Sequence, residues 1–127
     1  MFGPAGYTYV YFTYGMHYCF NIVTGLPGEG SAVLIRAVEP ITGLEVLHNN
    51  RLGHTGITLT NGPAKLCQAL KIDKSLYGHN LSTAPLQLVV EPPILETVTT
   101  TTRIGISQAQ STLWRFYITG NPYVSKM

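Results

Sequence analysis

Residues 7–13 alternate, with Tyr7, Tyr9, Tyr11 and Thr13 on one side and Thr8, Val10 and Phe12 on the other, which is the period of a strand. Residues 16–23 form a second β-rich run. The Tyr14-Gly15 pair between them predicts a two-strand hairpin with a tight turn. PGEG inside residues 26–31 is a turn. Residues 31–38, SAVLIRAV, read as a strand too apolar on both faces to lie at an edge, with Arg36 as its one charge. Residues 42–51 predict a short helix with Leu44, Leu47 and Val46 inward, and residues 51–60 are irregular. Asn61-Gly62-Pro63 then opens a helix running to Ile72, because proline suits the first helical position and a small residue suits the cap. Leu66, Ala69 and Leu70 are its expected buried stripe. Residues 86–91 alternate as a strand, residues 97–106 are β-prone, and residues 114–119 form a last strand before the turn at Gly120-Asn121-Pro122. Strands dominate and short helices sit between them. The fold class is α+β: a single domain with a curved, mixed or antiparallel sheet and a protruding β-hairpin.

The totals narrow the possibilities. At 127 residues the chain can bury one modest core. Its 11% charged fraction is less than half the usual share, and its net charge is +2. Any attraction to nucleic acid must therefore come from a few placed lysines and arginines and not from a broad basic field. No apolar run approaches a membrane span, the longest being residues 32–35 and 86–90. The N-terminal residues show no basic region followed by an apolar core, so export is not expected; the compartment is the cytoplasm in a prokaryote or the nucleus in a eukaryote. Cys19 and Cys67 read as buried reduced thiols, in preference to a disulfide between them.

Candidate chemistry is sparse. His17 and Cys19 share a strand face, but no second pair stands at ligand spacing, so packing is favoured over metal binding. Asp73 is the only aspartate and reads as part of a solvated helix end, Lys71 to Lys74. Among the glutamates Glu29, Glu39, Glu45, Glu91 and Glu96, only Glu39 follows a core strand closely. None carries the signature of a catalytic base. What remains is the aromatic hairpin, which holds five of the eight tyrosines. It is either a core hairpin with hydroxyls at its rim or a surface for stacking on flat ligands. A ring at the tip of a stiff hairpin gains little packing but makes a good wedge between stacked bases.

Four collinear blocks give these residues a context: YVYFTYGM at 9–16 with CFNI at 19–22; VLIRAVEP at 33–40; NGPAKLCQAL at 61–70; and RIGI at 103–106 with RFYITGNPYVS at 115–125. Together they resemble the alkyladenine (3-methyladenine) DNA glycosylase family, the Mpg type that excises alkylated and deaminated purines. The resemblance implies that the hairpin enters the DNA minor groove and that Tyr14 fills the gap left by a flipped nucleotide. It further implies that Tyr11 lines the base pocket and that Asn21 crowds the exocyclic amine of guanine. Arg36 matches an active-site arginine, Lys65 and Lys74 match phosphate-holding residues, and Leu34 and Met1 fall near the groove. The expected partner is double-stranded DNA carrying a damaged purine, bound by a monomer without cofactor or metal. No lysine is placed for Schiff-base chemistry, so the expected reaction is monofunctional hydrolysis.

One departure stands out. The family's catalytic glutamate, and a tyrosine and histidine that sandwich the base, lie in a Glu-Thr-Glu-Ala-Tyr-like block and the segment after it. No such block occurs in these residues, and Met1 matches an internal family position, so the chain is expected to be N-terminally truncated and inactive by itself. The rival function is a non-catalytic aromatic β-surface for single-stranded nucleic acid or carbohydrate, using Tyr7, Tyr9, Tyr11 and Tyr18 as a platform.

Overall fold

The computed structural model describes residues 4–13, 17–25, 28, 30–89, 98–101 and 115–124. β1 (Thr8–Thr13) and β2 (His17–Val23) pair antiparallel in the register that runs from Thr8 opposite Ile22 to Thr13 opposite His17. The expected hairpin is therefore formed; its tip, Tyr14 to Met16, lies outside the described residues. β3 (Ala32–Leu34) joins the other side of β2, with Leu34 opposite Asn21. Among the described residues the sheet has the order β1-β2-β3, with β3 paired to β2 along one side. β3 is shorter than expected, although the Ile35 N–H still donates to the Phe20 carbonyl at 3.0 Å. β4 (Val98–Thr101) and β5 (Arg115–Ile118) form a separate antiparallel ladder. With the helices this is an α+β fold, and every strand pair described is antiparallel.

Strand alternation divides the three-stranded sheet into two faces. Val10 and Phe20 point to one face and pack against Leu66, Cys67, Ile72 and Leu81. Leu66 and Cys67 belong to α2 (Pro63–Ala69), which follows α1 (Leu44–Asn50). In α1 only Leu47 is buried, while Leu44 and Val46 are exposed, so its apolar stripe is one residue wide. Leu47, Leu59 and Ala69 form a second small core where α1, a 3-10 turn at Gly56–Leu59 and α2 meet.

α2 starts as expected but ends three residues before Ile72. Lys71 adopts a left-handed φ of 54°, the Ile72 N–H donates to the Cys67 carbonyl at 2.8 Å, and the Lys71 N–H donates to the Gln68 carbonyl at 3.3 Å. This is the Schellman termination, here with lysine where glycine is usual. The reversal buries Ile72 in the main core and leaves Leu70 40% exposed, so Cys67 takes the place in the buried stripe expected for Leu70. Asp73 consequently does not sit at the end of a longer helix. It caps the next 3-10 turn, Lys74–Leu76, by accepting from the Ser75 N–H at 2.9 Å. Residues 86–89, expected as a strand, are not one.

Arg51 ties these pieces together. Its guanidinium is buried at the C-terminus of α1, donating to Gln68 Oε1 at 3.0 Å and to the carbonyls of Thr58 and Leu59. The same burial pushes its pKa down. Asn50 adds a bond from Nδ2 to the Ala69 carbonyl at 2.6 Å.

The exchange of Leu70 for Cys67 and Ile72 as core residues makes a direct prediction. Leu66→Ala empties a fully buried site and should lower unfolding free energy by about 2–5 kcal/mol. Leu70→Ala should cost less, within about 0.5–1 kcal/mol, because its side chain is already partly in solvent and leaves no enclosed cavity. Denaturant titration of the two variants checks the difference; equal losses would mean that the helix continues as a regular stripe.

Candidate functional site

The face of the sheet away from α2 carries Tyr9 and Tyr11 from β1, Cys19 and Asn21 from β2 and Leu34 from β3. Asn21 stands at the centre of this group, paired across the strands with both Tyr9 and Leu34. Its side chain is 7% exposed, and its Nδ2 donates to the Tyr9 carbonyl at 3.2 Å. A buried amide is costly unless bonded, so this bond is what allows a polar group here, and it also fixes the amide's orientation. Tyr11 is partly exposed, with its ring 5.6 Å from that of Tyr9.

The structure thus gathers three of the expected site residues, Tyr11, Asn21 and Leu34, on one face. Arg36 follows two residues after β3, and its side chain is exposed. Lys65 stands on α2, which packs against the opposite face. Its Nζ donates to Asn61 Oδ1 at 2.9 Å, one turn back along the chain. Lys74 opens the 3-10 turn after Asp73 and is exposed. Hydrogen bonds from the Ser75 hydroxyl and N–H, with the nearby Lys74 charge, hold the Asp73 carboxyl below its ordinary range. Tyr14 and Met1 lie outside the described residues. Glu39 is exposed and its Oε1 accepts from Asn121 Nδ2 at 3.1 Å, a contact that joins the segment after β3 to the turn after β5.

The four-tyrosine platform is not formed. Tyr18 pairs with Phe12, their rings 4.7 Å apart, on the face opposite Tyr9 and Tyr11. In place of Tyr18 the structure supplies Tyr77, whose ring meets that of Tyr9 edge-on at 5.7 Å. Nothing in the local pattern of residues 74–80 points to this contact, which depends on a return of the chain to β1 from nearly seventy residues away.

Both cysteines are free and buried. Burial pushes the Cys67 thiol from 9.0 up to about 12; Cys19 adds to the rise, and a hydrogen bond from the Phe20 backbone offsets part of it. Cys67 is a packing residue and not a nucleophile.

Against this geometry the comparisons with known proteins are clear. The family model for methylpurine-DNA glycosylase (MPG) matches residues 1–122. A Carboxydothermus hydrogenoformans protein, named as a candidate 3-methyladenine DNA glycosylase, is 50% identical over 128 residues, covering 99% of this chain and 67% of its own length. A protein of the same name from Methanoculleus marisnigri is 47% identical, covering 99% of this chain and 68% of its own. One from Francisella tularensis is 49% identical over 134 residues, covering 99% and 67%. The chain belongs to the methylpurine-DNA glycosylase family, and it spans about two thirds of the length of these relatives. No helix among the described residues is long and apolar enough to cross a membrane.

Cys67 offers a test of this packing. With its pKa near 12, only about one thiol in ten thousand ionises at pH 8, so iodoacetamide should label Cys67 only as fast as the protein opens. The unfolded thiol ionises near 9 and the folded one near 12. The stability linked to Cys67 is therefore complete below pH 9 and declines as pH rises toward 12. Rapid labelling of Cys67 in the folded protein at pH 8, read by peptide mass, would contradict its burial against β2.

Proposed function

We propose that this chain is the lesion-reading part of a DNA glycosylase that removes alkylated or deaminated purines, such as 3-methyladenine, by hydrolysis. The observation that carries this is Asn21: a buried, oriented amide at the centre of a sheet face, beside Tyr11, in a chain of this family. A purine turned out of the duplex stacks along Tyr11. Asn21 selects by exclusion, because its fixed amide meets the amine that guanine carries at C2, a position that bears only hydrogen in 3-methyladenine and hypoxanthine. Tyr14 holds the gap that the purine leaves in the duplex.

The remaining residues divide by chemistry. Arg36, cationic at any working pH, steadies the charge of the sugar–phosphate and the reacting water but cannot act as a base. Lys65 and Lys74 take phosphates, and Leu34 meets the groove wall. Their net contribution is electrostatic and independent of base identity. The substrate is duplex DNA, engaged by one copy of the chain, and the absence of a Schiff-base lysine from the proposed set makes the reaction simple hydrolysis.

The general base of this reaction is a glutamate outside residues 1–127, in the block the family carries before the position matching Met1. A general base contributes about 10²–10⁴-fold, and groups that sandwich the base add positioning. The 127-residue chain should therefore bind damaged duplex weakly and release hypoxanthine at least about 10²-fold more slowly than a chain that includes this block. Release of hypoxanthine from a defined duplex is the assay. Comparable rates from both chains would mean that a base lies within these residues, with Glu39 the first candidate.

Two substitutions separate the roles within the longer chain. Asn21→Ser should raise excision of undamaged guanine while retaining excision of hypoxanthine; unchanged selectivity would remove the gate role. Lys65→Ala should weaken damaged and undamaged duplex alike and make the salt dependence shallower by about one unit. A loss confined to damaged duplex would assign Lys65 to the lesion pocket instead.

A further inference from the structure

We infer that Tyr77, with Lys74 one 3-10 turn before it, is a contact for the strand flanking the extruded nucleotide and extends the binding face beyond the lesion pocket. This rests on the glycosylase reading above.

Tyr77 is 56% exposed, a large ring left in solvent. It is nevertheless firmly placed. The Tyr77 N–H donates to the Lys74 carbonyl at 3.1 Å, and the next residue, Gly78, donates its N–H to the Thr8 carbonyl at 3.0 Å. Gly78 has a φ of 73°, a left-handed conformation that side-chain-bearing residues rarely adopt, so the chain can turn sharply just after the ring. Thr8 holds the same segment from the other side. Its hydroxyl donates to the Leu76 carbonyl and accepts from the His79 N–H, and its N–H donates to the His79 carbonyl at 2.9 Å. Five backbone and hydroxyl bonds thus fasten the residues around Tyr77. These bonds fix the backbone that carries the ring, so little chain ordering remains to be lost when it binds a partner.

The ring's position gives it a direction. Tyr77 meets Tyr9 at 5.7 Å and Tyr9 meets Tyr11 at 5.6 Å, so an aromatic strip runs from the proposed base pocket to Tyr77. Two such steps span at most about three base-pair rises of 3.4 Å. The occupant that fits is therefore a nucleotide two or three positions from the extruded one, in the same duplex. Lys74, exposed on the same short turn, supplies the positive charge its phosphate needs. A ring face and a cation together suit a sugar-phosphate chain with bases attached.

The test uses the 127-residue chain and a duplex holding a stable abasic-site analogue, with affinity measured over a range of salt. Tyr77→Ala should weaken binding about tenfold with an unchanged salt slope, since a ring contact releases no counterion. Tyr77→Phe should restore affinity to within about twofold, and Tyr77→Leu, which keeps apolar bulk against Tyr9, should not. Lys74→Ala should instead reduce the slope by about one unit. If wild type binds the duplex and all Tyr77 variants bind equally well, the inference fails and the functional reading stands. It also fails if affinity across the three variants simply follows their melting temperatures, which would make Tyr77 a packing residue. If wild type does not prefer the abasic duplex to an undamaged one, the glycosylase reading itself falls, and this inference with it.

Discussion

The register of β1 against β2 is the constraint on which the other features of this molecule depend. A slip of one residue would exchange the two faces of the strand, sending Asn21 into the core and Phe20 out of it. In the observed register Val10 and Phe20 meet α2, while Tyr9, Tyr11 and Asn21 are left together on the other face. The apolar side is what holds the register. Burying Phe20 and Val10 against Leu66 and Cys67 is worth several kcal/mol, on the order of 2 kcal/mol for each large side chain. Asn21 then lies where it does because its neighbours along the strand are fixed, and its bond to the Tyr9 carbonyl compensates for its burial.

The helical half of the molecule depends on a different device. α1 and α2 are each only seven residues long and could not stand alone in water. Their small shared core of Leu47, Leu59 and Ala69 is reinforced by Arg51, which spans α1, the 3-10 turn and α2 with one guanidinium. A planar fork with several fixed donors suits this task better than a lysine would, because the acceptors are neutral oxygens on separate segments. The Schellman turn at Lys71 then directs the chain back toward β1, where Thr8 receives it. That return both protects the edge of β1 and brings Tyr77 beside Tyr9.

The two faces of the sheet thereby differ in chemistry. The core side of the sheet is apolar and holds an inert thiol, Cys67. The far side carries aromatic rings, one oriented amide and few charges. A surface with so little net charge suits selection by shape and exclusion, with a small number of cations added for the phosphates.

The amino-acid pattern alone determined the hairpin pairing, the start of α2 at Pro63, and strands within the runs 97–106 and 114–119, observed at 98–101 and 115–118. These are properties of period and local chemistry: alternation names the faces of a strand, and proline after a small residue opens a helix. The resemblance of four sequence blocks to the family named Tyr11, Asn21 and Leu34, which the sheet brings onto one face. Period cannot say which face will be covered, or by what. That Leu70 is exposed while Ile72 is buried, and that Tyr18 lies away from Tyr9, were decided by packing between distant segments. Arg51 and Tyr77 carried no local signal at all. Arg51 reads in sequence as one more surface cation, and only the approach of the Thr58 and Leu59 carbonyls makes its burial tolerable. Tyr77 acquires its place from Thr8, nearly seventy residues earlier, through the Thr8 hydroxyl and backbone groups that every sequence possesses, neither of which marks residue 77 in the local pattern.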